Sequence, residues 1–397
     1  MIQYHKHHFE DADIKAARDI LKSGTLIRGR MTLGFEEKMC EITGAPYALA
    51  VSSGTAALHM AALLAMYHAQ INHEVVKERP KALLMSNTFV ATANALVHAG
   101  FDVTFIDQSP EDFSMDLAST LEHLQTGKYA VCVVVHYGGF VTDMHAIYTE
   151  ATKHSTYVIE DAAYGLGSFY SNSMVGECKY SDAVCFSFQA TKLITTGEGG
   201  MVCVKFEDDF NFLHKIRNNG ITKNVDIMLN EPDDTGLPDK YYEAQEVGLN
   251  YHMTEFQAAL GCSQLQRVHK LLEGLTAVTE VYDTILQELF ETGLLHRPKS
   301  SFDCVPSNSL YMVQFHDSQT RREVVEYMDS NSIAINVHYK PVHTHPAYQN
   351  SLVFLPNTHR IYSTVISLPI YPSMEVAEAV KVATTLLKGV KKKMGVL

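Results

Sequence analysis

Lys192 lies in the stretch SFQATKLITTGEGGMV, residues 187–202, flanked by small and hydroxyl side chains and followed by Gly197, Gly199 and Gly200. An amine held in so tight a loop becomes a nucleophile when its surroundings lower its pKa. A lone lysine in a loop is also what any solvated surface presents, so Lys192 gains meaning only in company. Ser53, Gly54 and Thr55 open a long apolar segment, SSGTAALHMAALLAMYHA. There a glycine admits close backbone approach to an anion, the hydroxyls donate hydrogen bonds, and a helix N-terminus favours negative charge. The same three residues would equally serve as a plain helix cap. Ser187, ahead of Lys192, is placed to reach the same anion. Asp161 directly follows the apolar run 157–160, and a carboxylate at the C-terminal end of a parallel strand sits where such sheets place ligands. Its alternative role is to cap the next helix together with Glu160. Asn250, in GLNYHMTEFQAALG (248–261), stands just ahead of a helix, which is also an ordinary helix-entry signal.

Positioning these groups requires a layered fold. Residues 10–22 carry Ile14, Ala17, Ile20 and Leu21 on one helical face, and a second helix is expected over 33–42. Short strands are expected at 47–51, 81–85, 103–106, 130–135 and 157–160, separated by helices beginning near Ser53, Thr88, Asp116 and Asp143. Apolar strands alternating with helices of a dozen residues predict an α/β fold, with a mostly parallel sheet covered on both faces. A polar, turn-rich stretch at 224–243 reads as an excursion or lid, and 253–289 reads as one long helical run. The last hundred or so residues carry short strands at 310–315, 333–337 and 365–368 and a closing helix at 376–388, which predicts a smaller α/β domain. The division expected is a large domain over 1–265, N-terminal segment included, and a small domain over 266–397.

The chain has 397 residues, 46% hydrophobic and 19% charged, an ordinary globular composition with more than one core's worth of length. Its net charge of −13 argues against coating nucleic acid or an anionic membrane, while leaving room for an anionic small molecule. No uncharged apolar run approaches the ~18 residues of a membrane span, and the first twenty or so residues lack the apolar core of a signal peptide. The seven cysteines form no CxxC pair and lie mostly in apolar runs, as reduced thiols of a cytoplasmic protein do. Neither the cluster His5, His7 and His8 nor the pair His343 and His345 has partners at a metal-ligand spacing, so both are expected to be surface or loop histidines and no metal is expected.

A phosphate cradle, a strand-end carboxylate and an amine nucleophile, in this order along the chain, are what a pyridoxal phosphate (PLP) enzyme of the aspartate aminotransferase fold class, fold type I, requires. The segments VSSGTAAL, SNTFVATANAL, VHYGGFVTDM, EDAAYGLGS, FSFQATKLITTGEGGMV, NYHMTEFQAALGCSQL, NVHYKPVH and SLPIYP together resemble the DegT/DnrJ/EryC/StrS family of sugar aminotransferases nearly end to end. The resemblance implies that Lys192 carries PLP through its amine and shuttles the reaction proton, while Asp161 binds the ring nitrogen. Gly54, Thr55 and Ser187 would hold the phosphate, and Phe89 would stack on the ring. It further implies that Asn250 reaches the cofactor phosphate of a neighbouring subunit in a homodimer with shared sites, and that His338 and Tyr339 touch the nucleotide sugar. Three departures stand out. Tyr164 replaces a Gln or His that bonds the cofactor's 3-oxygen, a bond a phenol also makes. His252 replaces an arginine, and Arg28, in TLIRG, stands where relatives have a Thr-Gln-Gly triplet near the substrate. Relatives that dehydrate sugars carry histidine at the lysine position, so Lys192 favours amino transfer. KYYEAQEVGLNY and NVHYKPVH look most like members that aminate the C4 keto group of a UDP-linked 4-keto-6-deoxy-N-acetylhexosamine, with glutamate as the expected donor.

Overall fold

The computed structural model describes residues 1–72, 79–230, 241–300, 303–349 and 353–393. Seven strands form the main sheet, in the order Tyr47–Val51, Gly200–Val204, Ala183–Ser187, Tyr157–Asp161, Tyr129–Val135, Lys81–Met85 and Asp102–Ile106. Tyr129–Val135 is β-branched and almost wholly buried along its length, as expected of a strand with helices over both faces. Only Gly200–Val204 runs against its neighbours, pairing antiparallel on both sides. The other six strands therefore point the same way, and their C-terminal ends make one edge. The chain leaves that edge after Ser187 and returns to it at Gly200, which pairs with both Ser187 and Val51. The intervening loop, with Lys192, is thus suspended where the parallel strands end.

Two of these strands, Ala183–Ser187 and Gly200–Val204, were not foreseen: each is five residues long and merges in sequence with the lysine loop. The long run at 253–289 is two helices, Glu255–Leu265 and Val268–Glu291. The ladder breaks at Arg267 (φ −122°, ψ 20°), whose guanidinium turns back to Asp13 Oδ2 (2.5 Å) and the His8 carbonyl (3.2 Å). No strand forms at 333–337; Ile333 and Asn336 make only isolated bridges, to Ile2 and Ser367. Of the polar stretch 224–243, residues 225–227 form a single 3₁₀ turn, and 231–240 lie outside the described residues.

The C-terminal part builds a three-stranded antiparallel sheet from Leu295–His296, Tyr311–Phe315 and Val365–Leu368. It packs with the helices Val268–Glu291, Ser318–Ser330 and Val376–Lys393 around a core of its own, which includes Tyr282, Phe315 and Leu386. Along Val268–Glu291 the side chains pass from one core to the other between Leu271 and Leu275. Ile2, from the opposite end of the chain, belongs to the second core. All seven cysteines are free thiols, and among the described residues no helix is long and apolar enough to cross a membrane.

Candidate active site

A cavity of about 450 Å³ opens at the strand edge. Around it the structure brings together Gly54, Thr55, Phe89, Asp161, Tyr164, Ser187, Lys192, His338 and Tyr339, nine of the residues singled out from sequence.

Its floor is built by close backbone approach. Ser53 caps the helix Gly54–Asn72, its Oγ accepting from Ala56 N–H (3.1 Å). At Gly54 a Cβ would lie 2.7 Å from Ser187 Cβ and 2.8 Å from its Oγ, so only glycine lets the two loops meet. At Gly200 a Cβ would lie 2.3 Å from the Ser53 carbonyl oxygen. The product is a small concavity lined by helix N-terminal amides and the hydroxyls of Ser53, Thr55 and Ser187, a suitable seat for a phosphate.

The lysine loop is pinned from behind by Gln264, 3% exposed, which accepts from Thr195 N–H (3.0 Å) and donates to its carbonyl (2.6 Å). Phe188 accepts from Thr196 N–H (2.9 Å), and Phe188 N–H donates to Gly199 (2.8 Å), closing the loop on itself. Lys192 Nζ lies over the Tyr164 ring, 3.3 Å from its centroid, a cation–π contact worth about 0.5–2 kcal/mol. Tyr339 donates its hydroxyl to that of Tyr164 (3.2 Å).

Asp161 is 4% exposed. Oδ2 accepts from Thr92 Oγ1 (2.7 Å) and Oδ1 from Ala163 N–H (3.1 Å). Two such bonds fix the carboxylate as an acceptor aimed into the cavity, where it suits a protonated ring nitrogen. Phe89, 58% exposed at the mouth, presents an uncovered ring 5.8 Å from that of Tyr339. On the far wall His338 is 3% exposed, its Nδ1 bonds Ser367 Oγ (2.8 Å), and its carbonyl accepts from the Tyr137 hydroxyl. Burial foremost, then the charge of Lys192, holds the His338 imidazole down to about 3, so it is neutral near pH 7. Burial likewise pushes the phenols of Tyr137 and Tyr339 well up.

Arg28, Asn250 and His252 are not part of this cavity; they gather around Asn218. Arg28 Nη2 donates to Asn218 Oδ1 (2.7 Å), His252 Nε2 lies 3.2 Å from the same oxygen, and Asn250 pairs with the Asn218 backbone. Arg28 adopts a left-handed backbone conformation (φ 54°) beside the bridge from Ile27 to Thr254. Burial, followed by the charges of Arg217 and Arg28, holds His252 down to about 4, so Arg28 is the cation of this group near pH 7.

Sequence reasoning missed Tyr4, Thr92, His136 and Tyr137, all at the cavity wall. Thr92 lies in SNTFVATANAL, and His136 and Tyr137 in VHYGGFVTDM, segments whose resemblance to the family was the available signal. Tyr4 had none. His5 and His343, expected at the surface or in loops, turn inward: burial, then His7 and Lys192, holds His5 down to about 4. His343 is 7% exposed and bonds Ser86 Oγ (2.6 Å). No group of three or more metal-ligating side chains comes together among the described residues.

Comparison with known proteins agrees with this geometry. Residues 8–387 match the sequence profile of the DegT/DnrJ/EryC1/StrS aminotransferase family. The chain is 31% identical over 388 residues to the spore coat polysaccharide biosynthesis protein SpsC of Bacillus subtilis, covering 95% of each. It is 31% identical over 406 residues to the UDP-4-amino-4,6-dideoxy-N-acetyl-beta-L-altrosamine transaminase of Campylobacter jejuni, covering 99% of this chain and 98% of that one. Among solved structures, the Helicobacter pylori PseC, an aminotransferase of pseudoaminic acid biosynthesis, superposes with a TM-score of 0.85 at 28% identity over 98% of this chain and 99% of that one. The fold is thus that of the fold type I sugar aminotransferases.

Proposed function

The chain belongs to the DegT/DnrJ/EryC1/StrS aminotransferase family, and from that premise we propose that it is a PLP-dependent aminotransferase of nucleotide sugars. It transfers the amino group of an amino acid, glutamate in our reading, to C4 of a UDP-linked 4-keto-6-deoxy-N-acetylhexosamine. The observation that carries this reading is the convergence of Lys192, the buried Asp161 carboxylate and the Gly54–Ser187 close approach on one cavity. The residues fit the cofactor, since a Cβ at Gly54 would fill the cradle a phosphate needs.

Bound there, PLP supplies an electron sink for the pair left on carbon when a proton departs. Lys192 would hold the cofactor through its amine, and its nitrogen would carry the reaction proton. Asp161, fixed by Thr92 and Ala163, would keep a proton on the ring nitrogen. Gly54, Thr55 and Ser187 would receive the phosphate, Phe89 would stack on the ring, and Tyr164 would donate to the 3-oxygen. The Tyr164 ring also gives the free Lys192 cation a place to rest. His338 and Tyr339 form the sugar side of the cavity. Asn250, Arg28 and His252, clustered away from their own chain's cavity, serve the phosphate and substrate of a neighbouring protomer, in a cytoplasmic homodimer. With a large domain over 1–265 and a small one over 266–397, the small one would contribute Asn336, His338 and Tyr339 to the cavity.

Incubating the PLP-loaded protein with glutamate and a panel of UDP-, GDP- and dTDP-linked 4-keto-6-deoxy sugars tests this reading. Mass spectrometry should find the 4-amino product with the UDP-linked N-acetyl substrate and formation of 2-oxoglutarate. A deoxy product without nitrogen, or no product from any sugar, would contradict it.

A further inference from the structure

Among the described residues, one bond ties the Asp161 carboxylate to another element of the fold. Oδ1 accepts from the N–H of Ala163, two residues further along the same segment (3.1 Å). Oδ2 accepts from Thr92 Oγ1 (2.7 Å), which belongs to the helix Val90–His98. The orientation of the carboxylate therefore depends on where the Thr92 hydroxyl points.

That hydroxyl has a single proton and three oxygens within reach: Asp161 Oδ2 at 2.7 Å, the Phe89 carbonyl at 3.2 Å and Thr88 Oγ1 at 3.2 Å. The carboxylate is the nearest of the three and the charged one, and the Phe89 carbonyl already accepts the Thr92 N–H (3.2 Å). The Thr92 proton therefore goes to Asp161. The contact between the two threonines must then be closed by the proton of Thr88, since a hydroxyl has one donor and two acceptor positions. Thr88, Thr92 and Asp161 are all buried, and a hydroxyl that accepts one bond donates the next more strongly. Thr88 is itself placed by the strand edge: it follows the strand Lys81–Met85, and its N–H donates to the Ser86 carbonyl (3.1 Å). Both threonines line the cavity, but their hydroxyls are engaged with each other and with Asp161.

We propose that Thr88 is a positioning residue: by donating to Thr92, which donates to Asp161 Oδ2, it holds the carboxylate in the orientation that meets the cofactor's ring nitrogen. This rests on the function proposed above, in which Asp161 faces that nitrogen, and names a residue that acts on the reaction through two others.

Thr88→Val keeps the shape of the side chain and removes the donor, whereas Thr88→Ser keeps the donor and removes a methyl group. Three quantities are read: the dissociation constant for PLP, the pH midpoint of the bound cofactor's absorbance, and the rate of each half-reaction in stopped flow. The thermal midpoint checks folding. Thr88→Val should weaken PLP binding and slow the glutamate and sugar half-reactions alike, each by about three- to tenfold, the worth of one hydrogen bond. The absorbance midpoint should move by about half a pH unit. Thr88→Ser should return all three towards wild type. Thr88→Ala, a smaller variant without the donor, should show the same losses if the valine side chain fails to pack. In a Thr92→Val background, Thr88→Val should add less than about twofold, because the link to Asp161 is already cut. Wild-type values for Thr88→Val, or a Thr88→Ser variant no better than Thr88→Val, would overturn the inference and leave the proposed function standing. So would a loss that persists in full in the Thr92→Val background, which would mean that Thr88 acts through another contact. A wild-type protein that binds no PLP would overturn the proposed function itself and this inference with it.

Discussion

Acidification should destabilise this protein through His338 before most of its carboxylates are protonated. The imidazole is 3% exposed, bonded to Ser367 and enclosed by the Tyr4, Tyr164 and Tyr339 rings. Its folded-state pKa is held down to about 3, by burial first and then by Lys192. In the unfolded chain it titrates near its ordinary value of about 6.5. The unfolded state therefore binds the proton more tightly, so stability is fully present above about pH 6.5 and is lost as the pH falls towards 3. By pH 5 roughly 1.5 pH units of this window have been crossed, worth about 2 kcal/mol. The perturbation is His338→Asn, whose amide can still bond Ser367 but does not titrate. Urea unfolding of both proteins at pH 7.5 and pH 5 gives the comparison. The variant starts less stable because it packs less well, but its loss between the two pH values should be smaller than that of wild type by about 2 kcal/mol. Equal losses in the two proteins would refute the reasoning.

Other perturbations follow from the same geometry. Asp161→Asn removes the buried charge proposed to face the ring nitrogen and should cut turnover by roughly a hundredfold or more, the scale of a buried electrostatic contact, while the protein still binds PLP by absorbance. Gly54→Ala puts a methyl group 2.7 Å from Ser187 Cβ and should weaken PLP retention in dialysis and lower the thermal midpoint. Glu36→Gln leaves Arg217, which is 4% exposed and bonds Glu36 Oε1 at 2.6 Å, without its counter-charge. Breaking a buried pair from one side costs about 3–5 kcal/mol, which denaturant titration would register.

What was legible in the sequence was local. Lys192 among glycines, Asp161 after an apolar run, and Ser53, Gly54 and Thr55 before a helix each carry their chemistry within a few residues, and the structure brings all of them to one strand edge. Five of the six parallel strands were legible because burial on both faces makes such strands apolar along their length. Contacts set by distant partners were not. The helical period runs unbroken through 253–289, and the break at Arg267 is made by Asp13, far away in the chain. Residues 333–337 have strand-like composition but find only isolated bridges. Ala183–Ser187 and Gly200–Val204 were absorbed into the loop they suspend. Tyr4 reaches the cavity wall from a segment whose Ile2 lies in the second core, a long-range placement that no local pattern announces. The grouping of Arg28, Asn250 and His252 around Asn218 was equally hidden, since each was placed singly and Asn218 belonged to no motif.

The central claim is that Lys192 holds the cofactor, and it is tested most directly by chemical trapping. The purified protein is incubated with PLP, reduced with borohydride, digested and mapped by mass spectrometry. The account predicts a pyridoxyl phosphate adduct on Lys192 and none in Lys192→Ala. An adduct on other lysines alone, or none under conditions that label a known PLP enzyme, would contradict it.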